Sequence, residues 1–224
     1  MQLYCIFMTG SVKGSAADVP DLRALRVART EEQLIEAATE LFLAQGYTAT
    51  TLADVARGAG LAPRTVYLRF GSKANLFSRV VDRALTGDAD SLDLRHRPGT
   101  RRAMSAPSLA ERIDAFAEMC VGIADRAGAL FEVAAQAEGV EPDLAAAFQA
   151  GRRETEHLCA RFWDHAQADG LLDANIDLGT LVILTDLLVC ADTTVHLRRT
   201  RGWAGPEHQA LITDTLATLT RPPD

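Results

Sequence analysis

The sequence predicts an all-α protein, with a helix-turn-helix domain near the N-terminus and a larger helical half after it. Three observations carry this. Aromatic residues make up only 6% of the 224 residues against 48% hydrophobic, with Ala and Leu abundant, a composition suited to helices rather than to a β-sandwich. Apolar residues recur at i, i+3, i+4 and i+7 in one segment after another. No stretch alternates apolar and polar residues as a strand does, and no internal repeat is present. The expected boundaries are 1–29 for a flexible basic N-terminal arm, 30–86 for the helix-turn-helix domain and 87–224 for the second helical half.

The opening MQLYCIFMTG is mildly apolar but has no basic n-region and no A-x-A site, so it is expected to be a leader without defined structure, with Met8 an alternative start. Arg23, Arg26 and Arg29 sit just ahead of the first firm helix. They suit either an arm that reaches a minor groove or a solvated tail. Thr30, with Gln33 as its capping-box partner, is expected to open a helix whose stripe is Leu34, Ala37, Ala38, Leu41 and Phe42, closed by Gly46. Thr51 and Asp54 make a second capping signal for a short helix from Leu52 to about Arg57. Gly58 and Gly60 break it, Gly60 with positive φ, and Leu61 plugs the turn. Pro63 suits the first turn of the next helix, where its missing N–H costs nothing, and Gly71 ends that helix near Phe70. Ser72 caps a fourth helix through Leu76, Phe77, Val80, Val81 and Leu85.

Residues 87–107, with Gly87, Pro98, Gly99 and Pro107 among charges, read as a loop. Ser108 and Glu111 form a capping box ahead of a stripe of Ile113, Phe116, Ala117 and Cys120, and a separate short helix is expected from Leu130 to Ala137. Pro142 opens the longest helix, running to Gly170. Asp177 caps the next, residues 178–199, which is apolar nearly all round, and Pro206 opens the last. A helix apolar around its circumference must be covered on every side. Residues 178–197 are too interrupted by Asp186 and Asp192 to span a membrane, so a second copy of the chain is expected to cover part of them. Leu184, Leu188, Ala191 and Val195 form a row at i, i+4, i+7 and i+11, with Leu211, Thr215 and Leu219 parallel to it on the last helix.

Net charge is −7, but it is unevenly placed. Residues 21–86 hold nine Lys/Arg and seven Asp/Glu, whereas 87–224 hold thirteen and twenty-two. The basic end suits a nucleic acid and the acidic end should face away from it. Cys5, Cys120, Cys159 and Cys190 have no C-x-x-C spacing, so reduced thiols in a cytoplasmic protein are expected. His157 and His165 flank Arg161 on one face, which argues against a metal site. No G-x-S-x-G, P-loop or metal motif supports catalysis, and no cofactor is expected.

The segment TTLADVARGAGLAPRTVYLRFGSK, residues 50–73, carries the functional reading. Two short helices joined by a glycine turn make a helix-turn-helix, whose second helix lies in the major groove. Arg64, Thr65, Tyr67 and Arg69 give that helix a surface rich in donors. Arginine can grip guanine bidentately, and Thr and Tyr can reach phosphate or a thymine methyl. The plainer reading is a helical corner with solvated arginines.

The flanks favour the reader. Leu41-Phe42, Gly46-Tyr47-Thr48, Thr50-Thr51, Val55-Ala56, Gly60, Thr65-Val66-Tyr67, Phe70, Lys73 and Leu76-Phe77 stand in an order that resembles the DNA-binding domain of the tetracycline-repressor (TetR) family of bacterial regulators, over residues 30–85. The resemblance implies a homodimer joined through its last two long helices, a palindromic double-stranded DNA operator, and a pocket in the second half for an unknown small-molecule effector. It also implies phosphate contacts from Thr50, Thr51, Tyr67 and Lys73, and base contacts from Arg64, Thr65 and Arg69. No ligand contact carries over. From spacing alone the pocket candidates are Phe116, Met119, Phe131, Phe148, Phe162 and Asp186, which suggest an apolar ligand. The resulting expectation is a ligand-responsive repressor. The alternatives are a sequence-blind architectural DNA-binding protein and a thiol redox sensor using Cys120, Cys159 and Cys190.

Overall fold

The computed structural model describes residues 22–87 and 98–221, which form ten helices. The expectations for the opening segment, Met8 and Cys5 lie outside these residues. The order is α1 (Leu22–Ala49), α2 (Leu52–Gly58), α3 (Pro63–Phe70), α4 (Lys73–Thr86), α5 (Pro98–Ser105), α6 (Leu109–Ala137), α7 (Pro142–Ala168), α8 (Leu178–Val189), α9 (Ala191–Arg201) and α10 (Gly205–Leu219).

Several expected boundaries move. The first helix starts at Leu22, so Thr30 lies inside it and its hydroxyl donates to the Arg26 carbonyl instead of capping. Arg23, Arg26 and Arg29 therefore ride on helix. Gly46, at φ 79° and ψ 175°, kinks the last turn of α1, as only glycine does readily. The loop expected before Ser108 contains α5, whose Ala103 is buried and whose Thr100 hydroxyl meets the Met119 sulfur at 3.2 Å. The helix expected from Leu130 is the end of α6. The helix expected over residues 178–199 breaks at Cys190, bending by 48° between α8 and α9. No proline or glycine marks this break. Instead its loose carbonyls find partners: His208 Nε2 lies 2.8 Å from the Leu188 oxygen, and the Thr193 hydroxyl donates to the Leu187 oxygen.

The caps that do form are sequence-encoded. Thr51, Ser72, Ser108 and Asp177 each accept a backbone N–H of the following turn. Pro63 and Pro142 occupy first turns.

Two apolar clusters hold the helices. The first joins α1–α4 to the end of α6 and the start of α7, and so spans both sides of Gly87. Phe77 is its hub, with ring centroids 4.8 Å from Phe42, 5.4 Å from Tyr47 and 6.3 Å from Phe148. The second joins α5, the first half of α6, the end of α7, α8 and α10 around Phe116, Phe162 and Trp163. Trp163 Nε1 donates to Thr185 at 2.8 Å, fixing α7 on α8. At the end of α4, Arg126 of α6 donates to the carbonyls of Ala84 and Leu85 at 3.3 and 3.2 Å. A β-carbon at Gly87 would lie 3.0 Å from Nε of that guanidinium, which would have to give way, and the φ of 79° favours glycine. No single helix among the described residues is long and apolar enough to cross a membrane.

Candidate nucleic-acid interface and internal cavity

The recognition helix is seated by two residues. Val66 and Phe70, four apart, are buried in the first cluster, which turns Arg64, Tyr67, Leu68 and Arg69 outward and leaves Thr65 half-buried. Gly60 at φ 67° and Gly71 at φ 73° make the turns on either side. Leu68, 76% exposed, was not among the sequence candidates. Its apolar tip among donors is the available signal, a group suited to a thymine methyl or deoxyribose.

The other DNA candidates divide. Thr51 is exposed, caps α2, and donates to Asp54 at 2.6 Å, which together with Arg57 holds that carboxyl below the usual carboxylate range. Thr50 corrects an expectation: its side chain is fully buried, because its hydroxyl donates at 2.8 Å to the Gly46 carbonyl left loose by the kink. Its hydroxyl is not presented to a phosphate. Lys73 is half-buried, with Nζ donating to the Tyr47 carbonyl at 2.9 Å and lying 4.2 Å from the centre of the Tyr47 ring. Burial lowers its pKa, with Glu141 opposing. Arg69 is ion-paired to Glu31 of α1, which also holds Arg79 of α4 at 2.9 Å. Burial alone would raise the Glu31 pKa, but the two arginines lower it overall. One carboxylate thus links the recognition helix to α4.

Above α4 lies a cavity of about 160 Å³, walled by α4, α6, α7 and the α8–α9 break. Two of the six ligand candidates line it, Phe131 and Phe148. Met119 lines a second, open cavity of about 590 Å³ beside α5. Phe116 and Phe162 correct the spacing argument. They are fully buried, 4.4 Å apart, in the second cluster, because the face of α6 and α7 carrying them packs on α8 and α10. Asp186 lines neither cavity. Its Oδ1 is buried without a partner among the described residues, and burial, helped by Glu156 and Asp192, raises its pKa.

Sequence reasoning missed the cavity's polar wall. Asp82 of α4 lines it with Glu138, Arg152, Glu154, Asp192 and Thr194. Asp82 is 8% exposed and burial pushes its carboxyl up to about 6, against the opposing pull of Arg79. Arg152 pairs with Asp192 at 2.7 Å and Glu138 at 3.1 Å, yet its Nη1 and the Thr194 Oγ1 are buried without partners among the described residues. Cys120 and Cys190 line the cavity as well. Burial pushes the Cys120 thiol up to about 12 and raises Cys159, so both stay protonated and neither is a ready thiolate.

The row expected to pair with a second copy is rearranged by the break at Cys190. Ala191 and Val195 line the cavity and Leu188 packs on the second cluster, while Leu184 is half-buried. Spacing had assumed one straight helix, and the bend turns the two halves apart. The exposed apolar residues of α8 are Ile183 and Leu187. On α10, which packs against α8, Leu219 is exposed and Leu211 and Thr215 are half-buried.

Known proteins fit this geometry. The sequence profile of bacterial regulatory proteins of the tetR family matches residues 34–80. The transcriptional regulator TcmR of Streptomyces glaucescens is 46% identical over 59 residues, 26% of each chain. The transcriptional repressor BdcR of Escherichia coli is 47% identical over 51 residues, 23% of this chain and 26% of its own. These matches thus span about a quarter of the curated relatives' length. The fold likeness reaches further. NalD of Pseudomonas aeruginosa, the secondary repressor of the MexAB-OprM multidrug efflux pump, aligns over 85% of this chain and 95% of its own with TM-score 0.60 at 16% identity. PfmR of Thermus thermophilus, a TetR-family transcriptional regulator, aligns over 85% and 98% with TM-score 0.58 at 18% identity. The helix-turn-helix, the residues that seat it and the sequence match make residues 34–80 similar to the bacterial regulatory proteins of the tetR family.

Proposed function

We propose that the chain is a ligand-responsive, DNA-binding transcriptional repressor that grips a palindromic operator as a homodimer and is released when a small molecule fills the cavity above α4. The observation that carries this is the seating of α3. Val66 and Phe70 are locked in a core shared with α4, while Arg64, Tyr67 and Arg69 face outward as one donor-rich surface. Arg64, Thr65 and Arg69 are assigned to bases, and Thr51, Tyr67 and Lys73 to phosphates, Lys73 after leaving the Tyr47 carbonyl. In the dimer, Ile183 and Leu187 of α8 with Leu211, Thr215 and Leu219 of α10 meet their copies across a two-fold axis, burying above about 2,000 Å² in total. Two recognition helices then stand about one turn of DNA apart, near 34–36 Å. A guest that shifts α4 changes that spacing and weakens binding, and by linkage DNA weakens the guest equally.

The test is selection of bound duplexes from a random pool by the full chain. Enrichment of one palindrome, with steep salt dependence, is expected. Equal capture of all sequences would mean an architectural protein instead.

A further inference from the structure

On the reading that the chain answers to a small molecule, the cavity's walls narrow the chemistry of that molecule. Their bulk is apolar, from Leu85, Ile123, Phe131, Phe148 and Leu158. Among the described residues their charge is one-sided: the carboxylates of Asp82, Glu138, Glu154 and Asp192 stand against one guanidinium, that of Arg152. That guanidinium is already committed to Asp192, at 2.7 and 2.9 Å, and to Glu138 at 3.1 Å. An anion brought to its free Nη1 would meet both carboxylates. Asp82 is placed differently. It is buried, and the neighbouring guanidinium of Arg79 lies 3.7 Å away while donating at 2.9 Å to Glu31. Thr194, 3% exposed, lines the same cavity with a hydroxyl that has no partner among the described residues.

We propose that this cavity binds a ring-sized apolar molecule carrying a protonated amine, its ammonium set against the Asp82 carboxylate and the Thr194 hydroxyl offering a second polar contact. Size follows from volume: an enclosed apolar cavity of about 150 Å³ in another protein holds benzene, so about 160 Å³ admits one six-membered ring with a short arm. Sign follows from charge, because the excess of carboxylates in a low-dielectric wall attracts a cation and repels an anion. Burial without a full partner is also what raises Asp82 to about 6, and a bound ammonium reverses that shift. Among the described residues, the charged groups around Asp82 are Arg79 and Arg83 on α4, Glu31 and Glu32 on α1, Glu138 just after α6, Arg152 and Glu154 on α7 and Asp192 on α9. The Cys120 thiol on α6, pushed up to about 12, stays neutral.

Calorimetric titration of the full chain, without DNA, against benzylamine, benzyl alcohol and benzoate tests this. Benzylamine is expected to bind at least about tenfold tighter than the alcohol, with benzoate weakest. Lowering the pH from about 7.5 to about 5 should weaken benzylamine about tenfold and leave the alcohol unchanged, since Asp82 must then lose a proton first. Asp82→Asn should abolish both the preference and the pH dependence. Equal binding of the three, tighter benzoate, no binding at all, or a preference that survives in Asp82→Asn would each overturn the proposal. The wild-type charge series decides even without the variant. A chain that selects a palindrome yet ignores benzylamine loses only this ligand class. One that takes benzylamine yet selects no duplex loses the regulator reading instead.

Discussion

Phe77→Ala tests whether reader and cavity belong to one cooperative unit. Phe77 is fully buried on α4, with Phe42 and Tyr47 of α1 edge-on to it and Phe148 of α7 beyond. A side chain of this kind removes 150–250 Å² from water, which at 25 cal/mol per Å² is about 4–6 kcal/mol. Measured Phe→Ala changes in cores cost about 3–5 kcal/mol, and each edge-to-face pair adds about 0.5–1.5 kcal/mol of that specificity. Against a total stability of about 5–15 kcal/mol, the variant should be marginal. The assay uses the chain's own probes. Both tryptophans, Trp163 and Trp203, lie outside α1–α4, and Trp163 is buried in the second cluster. If the clusters unfold together, urea melts followed by tryptophan fluorescence shift as far as those followed by loss of total helix. A Trp163 transition left unmoved while part of the helix signal melts early would refute the single unit, and with it the idea that α4 transmits anything.

Arg64→Ala should cost about 1–3 kcal/mol of operator binding and relax choice at one base pair, read by anisotropy titration against single-base variants. Glu31→Gln frees Arg69 and Arg79, so operator affinity should rise about threefold while stability falls by up to about 1 kcal/mol, the pairs being partly exposed. Because the Glu31 pKa is lowered on folding, that stability is present above its unfolded value and fades as pH drops through the folded one. Asp82 works with the opposite sign. Its folded pKa of about 6 exceeds the ordinary aspartate value of 3.8, so stability declines as pH rises between the two, and Asp82→Asn should gain on the order of 2–3 kcal/mol at neutral pH by thermal melting. Leu187→Arg changes an exposed position, so the subunit should fold normally yet sediment as a monomer and lose the operator, whereas Leu188→Arg should damage the fold as well.

What the sequence displayed clearly was local chemistry. The caps at Thr51, Ser72, Ser108 and Asp177 and the first-turn prolines are each written in two to four adjacent residues, and they appear where they were expected. What it concealed was decided at a distance. Cys190 breaks a helix without Pro or Gly because His208, eighteen positions on, reaches the Leu188 carbonyl. Thr30 fails as a cap because the residues ahead of it are already helical, and a propensity reading gives no reason to extend the helix to Leu22. The spacing of Phe116 and Phe162 marked an apolar face but not whether a helix or a guest covers it. Asp82 was invisible for a related reason. A carboxylate at i+3 from an arginine on an amphipathic helix reads as solvated, and only the packing of α6 and α7 over it makes it a cavity wall.

That packing gives α4 two duties at once. Its Leu76, Phe77, Val80 and Val81 belong to the core that seats α3, while Asp82 and Leu85 belong to the cavity. Arg126 of α6 holds its C-terminal carbonyls, so the helix is anchored at the cavity end and cannot fray there without loss. Arg83 ties it to Glu32 and Arg79 ties it to Glu31, the same carboxylate that Arg69 of the recognition helix uses. A charge arriving beside Asp82 acts on Arg79, and whatever Arg79 does is felt at Glu31 by Arg69. Because each of these pairs is partly exposed and worth at most about 1 kcal/mol, the chain of charges alone cannot switch the protein. On the proposed ligand response, rigid displacement of α4 through the Phe77 core would then carry most of the coupling.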